Sequence, residues 1–205
     1  MLISAIVLSL PFVQTRIGQY VTEMLNEDFG TDINVEEVSI SVFGGVKLKT
    51  VLIKDHHKDT LIYANRIKTN ILDLGKMLNG DLFFGDVRLD GVVFNLKLYK
   101  GEDETNINTF VSLFDSDKPS SGKKFLLKAT NVYLTNTTFR VINENLETPK
   151  SVDFSKLDAS FSTLKIYGPE VTTKINRMAF RDHRGLKMDN LSGQFTYNPT
   201  NIILD

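Results

Sequence analysis

The chain has 205 residues, 41% hydrophobic and 24% charged, with a formal net charge of −1. That length holds one large domain or two small ones, and the balanced charge lacks the basic excess that a phosphate-backbone binder needs, so no nucleic-acid partner is expected. The absence of cysteine excludes disulfides and thiolate metal sites.

Met1 to Leu10, "MLISAIVLSL", are ten apolar or small residues without a charge. A membrane-spanning helix needs about 20, and no Lys or Arg precedes the run, so the basic region of a signal peptide is missing. Three readings fit: a buried strand or core helix, an atypical signal segment, or the exit half of a membrane helix whose start lies outside this sequence. The third is the expected one, because the next twenty residues or so carry an amphipathic helical pattern. Pro11 suits the first turn of a new helix, where its missing N–H would have no partner anyway. Val13, Ile17, Tyr20, Val21, Met24 and Leu25 then recur at helical spacing, with Gln14, Thr15, Arg16, Gln19, Thr22 and Glu23 on the other side. Gly30 is a good stop. The expectation is a helix over roughly Phe12–Asn26 that leaves a membrane and lays its apolar stripe on the bilayer interface or on the mouth of the following β-structure. Its candidate membrane and amphipathic residues are Leu2, Ile3, Ile6, Val7, Leu10, Phe12, Val13, Ile17, Tyr20, Val21 and Met24.

From residue 30 onward the pattern alternates with period two in runs broken by Gly, Asn and Asp, which predicts strands. Four segments share a further feature: "VKLKTVLIKD" from Val46, "VRLDGVVFNLKLY" from Val87, "VYLTNTTFRVI" from Val132 and "LKMDNLSGQFTY" from Leu186. Each opens apolar–x–apolar and meets a small or turn-prone residue four positions in (Thr50, Gly91, Asn136, Asn190). There the apolar parity flips. Val46 and Leu48 give way to Val51 and Ile53. Val87 and Leu89 give way to Phe94, Leu96 and Leu98. Val132 and Leu134 give way to Phe139 and Val141, and Leu186 and Met188 to Leu191, Phe195 and Tyr197. A flip without a device to absorb it would send half the apolar side chains to the wrong face. One extra residue restores them, as in a β-bulge, and bends the strand. The reading is four bent strands, each apolar on one face throughout. Their starts lie 41, 45 and 54 residues apart, a loose period that suggests an extended repeating architecture. Four unrelated strands of a β-sandwich are the alternative.

"DLGKMLNG" (Asp73–Gly80) and "NINTFVSLF" (Asn106–Phe114) read as short helices or irregular plugs, and "DSDKPSSGKK" (Asp115–Lys124) as a polar loop. The organisation is therefore 1–29 anchor end and amphipathic helix, 30–114 first part of a β-groove, 115–124 loop, and 125–205 continuing groove. Chemistry is sparse. Adjacent His56 and His57 would project to opposite faces of an extended strand and so not chelate one metal together. His183 stands alone, and "DHHKD" (Asp55–Asp59) reads as a solvated turn. No phosphate loop, nucleophile elbow or zinc-helix pattern is present. No enzymatic role, catalytic residue, metal or cofactor is expected. "DTL" (Asp59–Leu61) resembles a short O-glycosylation signal with Thr60 as acceptor; the start of a strand explains it equally.

The order "LSLPFVQTRIGQYVTEMLNEDFGTDINVEEVSIS", then "GVKLKTVLIKDHHKDTLIYANRIKTNILDLGKMLNGDLFFGDVRLDGVVFNLKLYKGEDETNINTFVSLFD" and "NVYLTNTTFRVINEN", resembles the N-terminal part of the TamB family of the AsmA-like superfamily in its Bacteroidota form. "HHKDTLIYA" and "GDVRLDGVVF" are its most specific phrases. The resemblance implies a mainly β fold: an N-terminal inner-membrane helix followed by an open, curved, repeating antiparallel groove with an apolar interior. It implies localisation at the inner membrane through a single N-terminal span, with the rest in the periplasm. It also implies transport of phospholipid towards the outer membrane and an Omp85-family outer-membrane partner, met through a region absent from this sequence. The candidate groove residues are Val46, Leu48, Val51, Ile53, Val87, Leu89, Phe94, Leu96, Leu98, Val132, Leu134, Phe139, Val141, Leu186, Met188, Leu191 and Phe195. The rival readings are a periplasmic platform that assembles outer-membrane proteins by edge pairing and a structural β-domain whose apolar faces are packed core.

Overall fold

A computed structural model of the chain describes residues 20, 22–41, 44–114, 124–198 and 200–205. Residues 22–29 are helical (α1). Nine strands follow: β1 (Asp32–Ile40), β2 (Gly45–Lys54), β3 (Thr60–Asn70), β4 (Asp81–Leu98), β5 (Leu126–Asn143), β6 (Lys150–Tyr167), β7 (Glu170–Asp182), β8 (Lys187–Asn198) and β9 (Asn201–Leu204). Short helices α2 (Leu74–Leu78) and α3 (Asn106–Ser112) stand before and after β4. All nine strands form one sheet in strict sequence order, with β1 and β9 at its edges.

Every neighbouring pair is antiparallel except β4 and β5. Those two run parallel with a constant offset of 45, Val87 opposite Val132 and Leu96 opposite Val141. The 45-residue interval between two of the sequence segments is thus a pairing register. A parallel pair needs a long crossover, supplied here by 99–125, which carries α3. Of the expected polar loop, residues 115–123 lie outside the described residues.

The parity flips are real, and they line up. In β2, β4 and β5 the backbone takes a left-handed conformation at Thr50 (φ 51°), Gly91 (φ 65°) and Asn136 (φ 53°). These three lie in one row of the ladder. Lys49, Arg66, Asp90 and Thr135 are paired across it on one side, and Val51, Ala64 and Val92 on the other. The row continues into β6, where Lys156 is also left-handed (φ 51°) and the register shifts between Ser155 and Asp158. In β8 the pairing slips by one between Met188 and Leu191, the position expected for Asn190. A second interruption crosses β4 to β6 nearer the α2 end, at Gly85, Thr130 and left-handed Thr163. A left-handed residue costs any side chain with a Cβ roughly 1–2 kcal/mol, so a row of them must be held in place by the apolar pattern on either side. One cluster gathers Val35, Leu48, Val51, Ile62, Ala64, Ile67, Leu89, Val92 and Leu134. Residues before and after the row therefore do share a face.

The sheet curls. Leu25 and Phe29 of α1, Met77 of α2, and Phe110 and Phe114 pack on Leu82, Phe84, Phe125, Leu127 and Ile166. From the far side of the sheet, Tyr197 of β8 reaches α3 and donates a hydrogen bond to the Asn108 Oδ1 (2.6 Å). The expected helix over Phe12–Asn26 lies mostly outside the described residues. Among them, no helix is long and apolar enough to cross a membrane.

The crease makes a direct prediction. A Cβ at Gly91 would meet the Asn65 Cβ at 3.0 Å in a left-handed conformation. Gly91→Val is expected to cost about 2–3 kcal/mol by urea denaturation, while Arg66→Val, on an exposed side chain of the same row, changes stability by about 0.5 kcal/mol or less.

Candidate functional site

The chemistry-bearing groups fall into two regions, an apolar face and a polar corner. On the face, the cluster around Val51, Ala64 and Val92 continues through the shared Leu134 into a second one. That second cluster gathers Leu134, Phe139, Phe154, Leu157, Ala159, Phe161, Met178, Phe180 and Met188. Phe94 and Phe139 stack with ring centroids 5.3 Å apart and 6° between planes, and Phe154 stacks on Phe180 at 3.9 Å. Every member of both clusters comes from a strand of this one sheet. Among the described residues the apolar side chains of the helices pack near Leu82, while α3 also reaches the other end of β4 through Asn106.

Of the expected groove residues, Leu48, Val51, Leu89, Leu134, Phe139 and Met188 belong to these clusters, and Phe94 stacks on Phe139. Val46, Val51 and Val132 are buried; Leu48, Ile53, Val87, Leu89, Phe94, Leu96, Leu98, Leu134, Phe139, Val141, Met188, Leu191 and Phe195 are half-buried along the same strands. Leu186 is an exception: it precedes β8 and is 53% exposed, so it lines nothing. Lys97 binds the Asp59 carboxylate at 2.6 Å. Of the anchor residues, Leu2 to Ile17 and Val21 lie outside the described residues, Tyr20 is exposed, and the Met24 Cε lies 3.9 Å from where a Cβ on Gly80 would stand. The outward side of β2–β4 is cationic: Lys47, Lys68 and Arg88 stand directly opposite one another, an arrangement that like charges disfavour.

The polar corner forms at the opposite end of β4. Pairing with β3 stops at Phe94 and Ile62, which leaves the next stretch of β4 with open backbone groups. The Asn106 side chain takes the missing strand's place. It accepts from the Lys97 N–H (2.9 Å) and donates to the Asn95 carbonyl (3.0 Å) and to Asp55 Oδ2 (2.9 Å). Asn106 is fully buried. Asp55 Oδ2 also accepts from the Tyr99 hydroxyl (2.7 Å), and Asp55 Oδ1 from the backbone N–H groups of His57 and Asp59, each at 3.0 Å. Burial, with the Asp55 contact behind it, pushes the Tyr99 phenol well above its ordinary range. The Lys97 hydrogen bond, then that of Tyr99, holds the Asp59 carboxyl down.

These bonds shape the Asp55–Asp59 turn. His56 and His57 sit in the turn and not in a strand, so the reason for expecting their rings to diverge does not apply. The His56 Nε2 lies 3.0 Å and the His57 Nε2 2.6 Å from the two carboxylate oxygens of Glu102. The Tyr99 ring backs them both, at 3.9 Å from the His57 ring and 5.6 Å from the His56 ring. Glu102 is held below the ordinary carboxylate range, first by the His57 hydrogen bond and then by that of His56. His183 is elsewhere, against Asp182 at 2.8 Å. In the "DTL" stretch, Thr60 is half-buried at the start of β3, Leu61 is fully buried and Asp59 is paired; the start of a strand accounts for all three. No family model matches the sequence, and no curated protein is similar to it.

Asn106→Leu fits the volume but strands the Lys97 N–H, the Asn95 carbonyl and one bond of Asp55. It is expected to cost roughly 3 kcal/mol or more, read as a fall in the thermal midpoint, with Asn108→Leu on the same helix as the milder comparison.

Proposed function

We propose that the apolar face is a path for the acyl chains of phospholipid, and that the chain is part of an inner-membrane-anchored bridge across the periplasm. The observation that carries the reading is the origin of the apolar face: two joined apolar clusters drawn wholly from strands of one sheet, with no helix residue in either, the helices' apolar side chains gathering near Leu82 and α3 touching the other end of β4 through the polar Asn106. Exposing a two-chain lipid to water costs about 0.8 kcal/mol per methylene, so roughly 20 kcal/mol or more for about 30 of them. A carrier must shield that length continuously, and a creased sheet that keeps its apolar side on one face does so without a second layer. In this reading the N-terminal segment tethers the helix-packed end at the membrane. An Omp85-family outer-membrane protein receives the far end through parts of a longer protein. The family resemblance supplies the direction and the partner; the fold supplies the surface.

A second reading, a platform that assembles outer-membrane proteins, draws on the sheet's free edges. At β1, an edge strand of the sheet, the outer side has no neighbouring strand among the described residues, and such an edge can pair with an incoming strand. The two readings differ in what is bound, acyl chains on a face or peptide backbone at an edge.

Photocrosslinking with lipid identification by mass spectrometry separates them. Phe94→Asp places a carboxylate beside Phe139 on a half-buried site, where it stays hydrated and repels acyl chains. The expected result is a folded protein with at least a fivefold loss of crosslinked phospholipid, and no such loss for Arg88→Asp on the outward face. Parent protein that crosslinks no lipid, together with a Phe94→Asp variant that does not fold, makes the face an ordinary core.

A further inference from the structure

We propose that His56, His57 and Glu102 form a binding site for a divalent cation of zinc-like, borderline character. Nothing in the lipid-path reading requires it, and its ligands lie on loops away from the apolar clusters. The two imidazole nitrogens and a carboxylate oxygen lie within 4.8 Å of one another. Zinc holds such ligands at about 2.0–2.2 Å, which puts neighbouring ligand atoms roughly 3.3 Å apart. Rotation of three surface side chains closes that difference. Two imidazoles with one carboxylate suit zinc and its first-row neighbours, whereas calcium and magnesium favour oxygen ligands throughout.

The surroundings hold the ligands as a built site would. Asp55 fixes the turn by accepting the N–H groups of His57 and Asp59, and the turn closes through the Lys58 N–H to the Asp55 carbonyl (2.9 Å), with Lys58 left-handed at φ 66°. The Glu102 loop is fixed from the other side. Its N–H donates to the Tyr99 carbonyl (3.1 Å), and the Asn145 side chain donates to the carbonyls of Tyr99 and Glu102. Tyr99 joins the two halves, its ring against the imidazoles and its hydroxyl on Asp55. Supports of this kind around metal ligands set affinity. His57 and Glu102 both remain partly exposed, which leaves a fourth position open to water or to an incoming ligand, the pattern of three-ligand zinc sites.

The test uses the whole chain without a histidine tag, stripped with chelator and titrated with zinc by calorimetry and with cobalt(II) by visible absorption. The expected result is one ion per chain, a d–d band showing ordered nitrogen–oxygen ligation, and a loss of affinity of at least tenfold in each of His56→Gln, His57→Gln and Glu102→Gln. His183→Gln keeps the parent affinity. In the parent protein, zinc should shift the NMR ring-proton signals of His56 and His57 and leave His183 unmoved, a readout that does not depend on any variant folding. No saturable binding at about 100 µM zinc, equal shifts at all three histidines, or affinity unchanged in the three ligand variants overturns the proposal.

Discussion

The constraint on which this structure rests is the parity of a β-strand. Side chains alternate, so a strand that bends must either lose its apolar face or insert a residue to recover it. Thr50, Gly91, Asn136 and Lys156 are those inserted residues, each in a left-handed conformation, and they stand in register. A parity step in one strand alone would put its apolar side chains out of line with those of its neighbours. A row of them lets neighbouring strands step together, so that Val51, Ala64 and Val92 on one side stay flush with Leu48, Ile67 and Leu89 on the other. The crease is tolerated because the apolar clusters on both sides of it are continuous, and the clusters are continuous because of the crease.

The two ends of β4 solve a shared problem by different means. Where β4 begins, the sheet is sealed by helices, with apolar side chains of α1, α2 and the α3 segment stacked on Leu82, Leu127 and Ile166. Where β4 ends, it outruns β3, and its bare backbone would carry unpaired polar groups. One buried side chain, Asn106, acts there as a short surrogate strand, and Asp55 ties that surrogate to the β2–β3 turn. Polar groups thus form the corner for the reason that apolar groups form the other end: each satisfies what the backbone there leaves open.

Much of this is legible in the sequence. The skipped parity at Gly91 and Asn136 is visible because strong apolar residues flank both, and even Thr50, a β-branched residue poorly suited to a left-handed turn, falls where the pattern says. The crease in β6 is not legible, because "SVDFSKLDASFSTLKIY" carries Ser, Asp and Lys on both faces and hides its own parity at Lys156 and Thr163. The parallel pairing of β4 and β5 is hidden because period two is the same in either direction; the signal lies in the long interval between the strands. Glu102 is far from the histidines in sequence, and no spacing motif joins them. The available signal is "DHHKD" itself, a charged turn in which an Asp at either end makes the backbone double back, so that neighbouring rings need not diverge.

The strict order of the strands bears on how the chain assembles. Each strand's partner is the one made just before it, so the sheet grows at one open edge, as a crystal grows by a row at a time. Every addition closes a connection of ten residues or fewer, except the step from β4 to β5, which must span 99–125 before any of its bonds form. Loop closure of that length is the slow event in an otherwise local sequence of pairings. A chain emerging from its N-terminus would therefore assemble β1 to β4, wait with the long edge of β4 exposed, and resume once α3 has packed across it. The asymmetry of one parallel pair divides a continuous sheet into two stretches in time that are not divided in space.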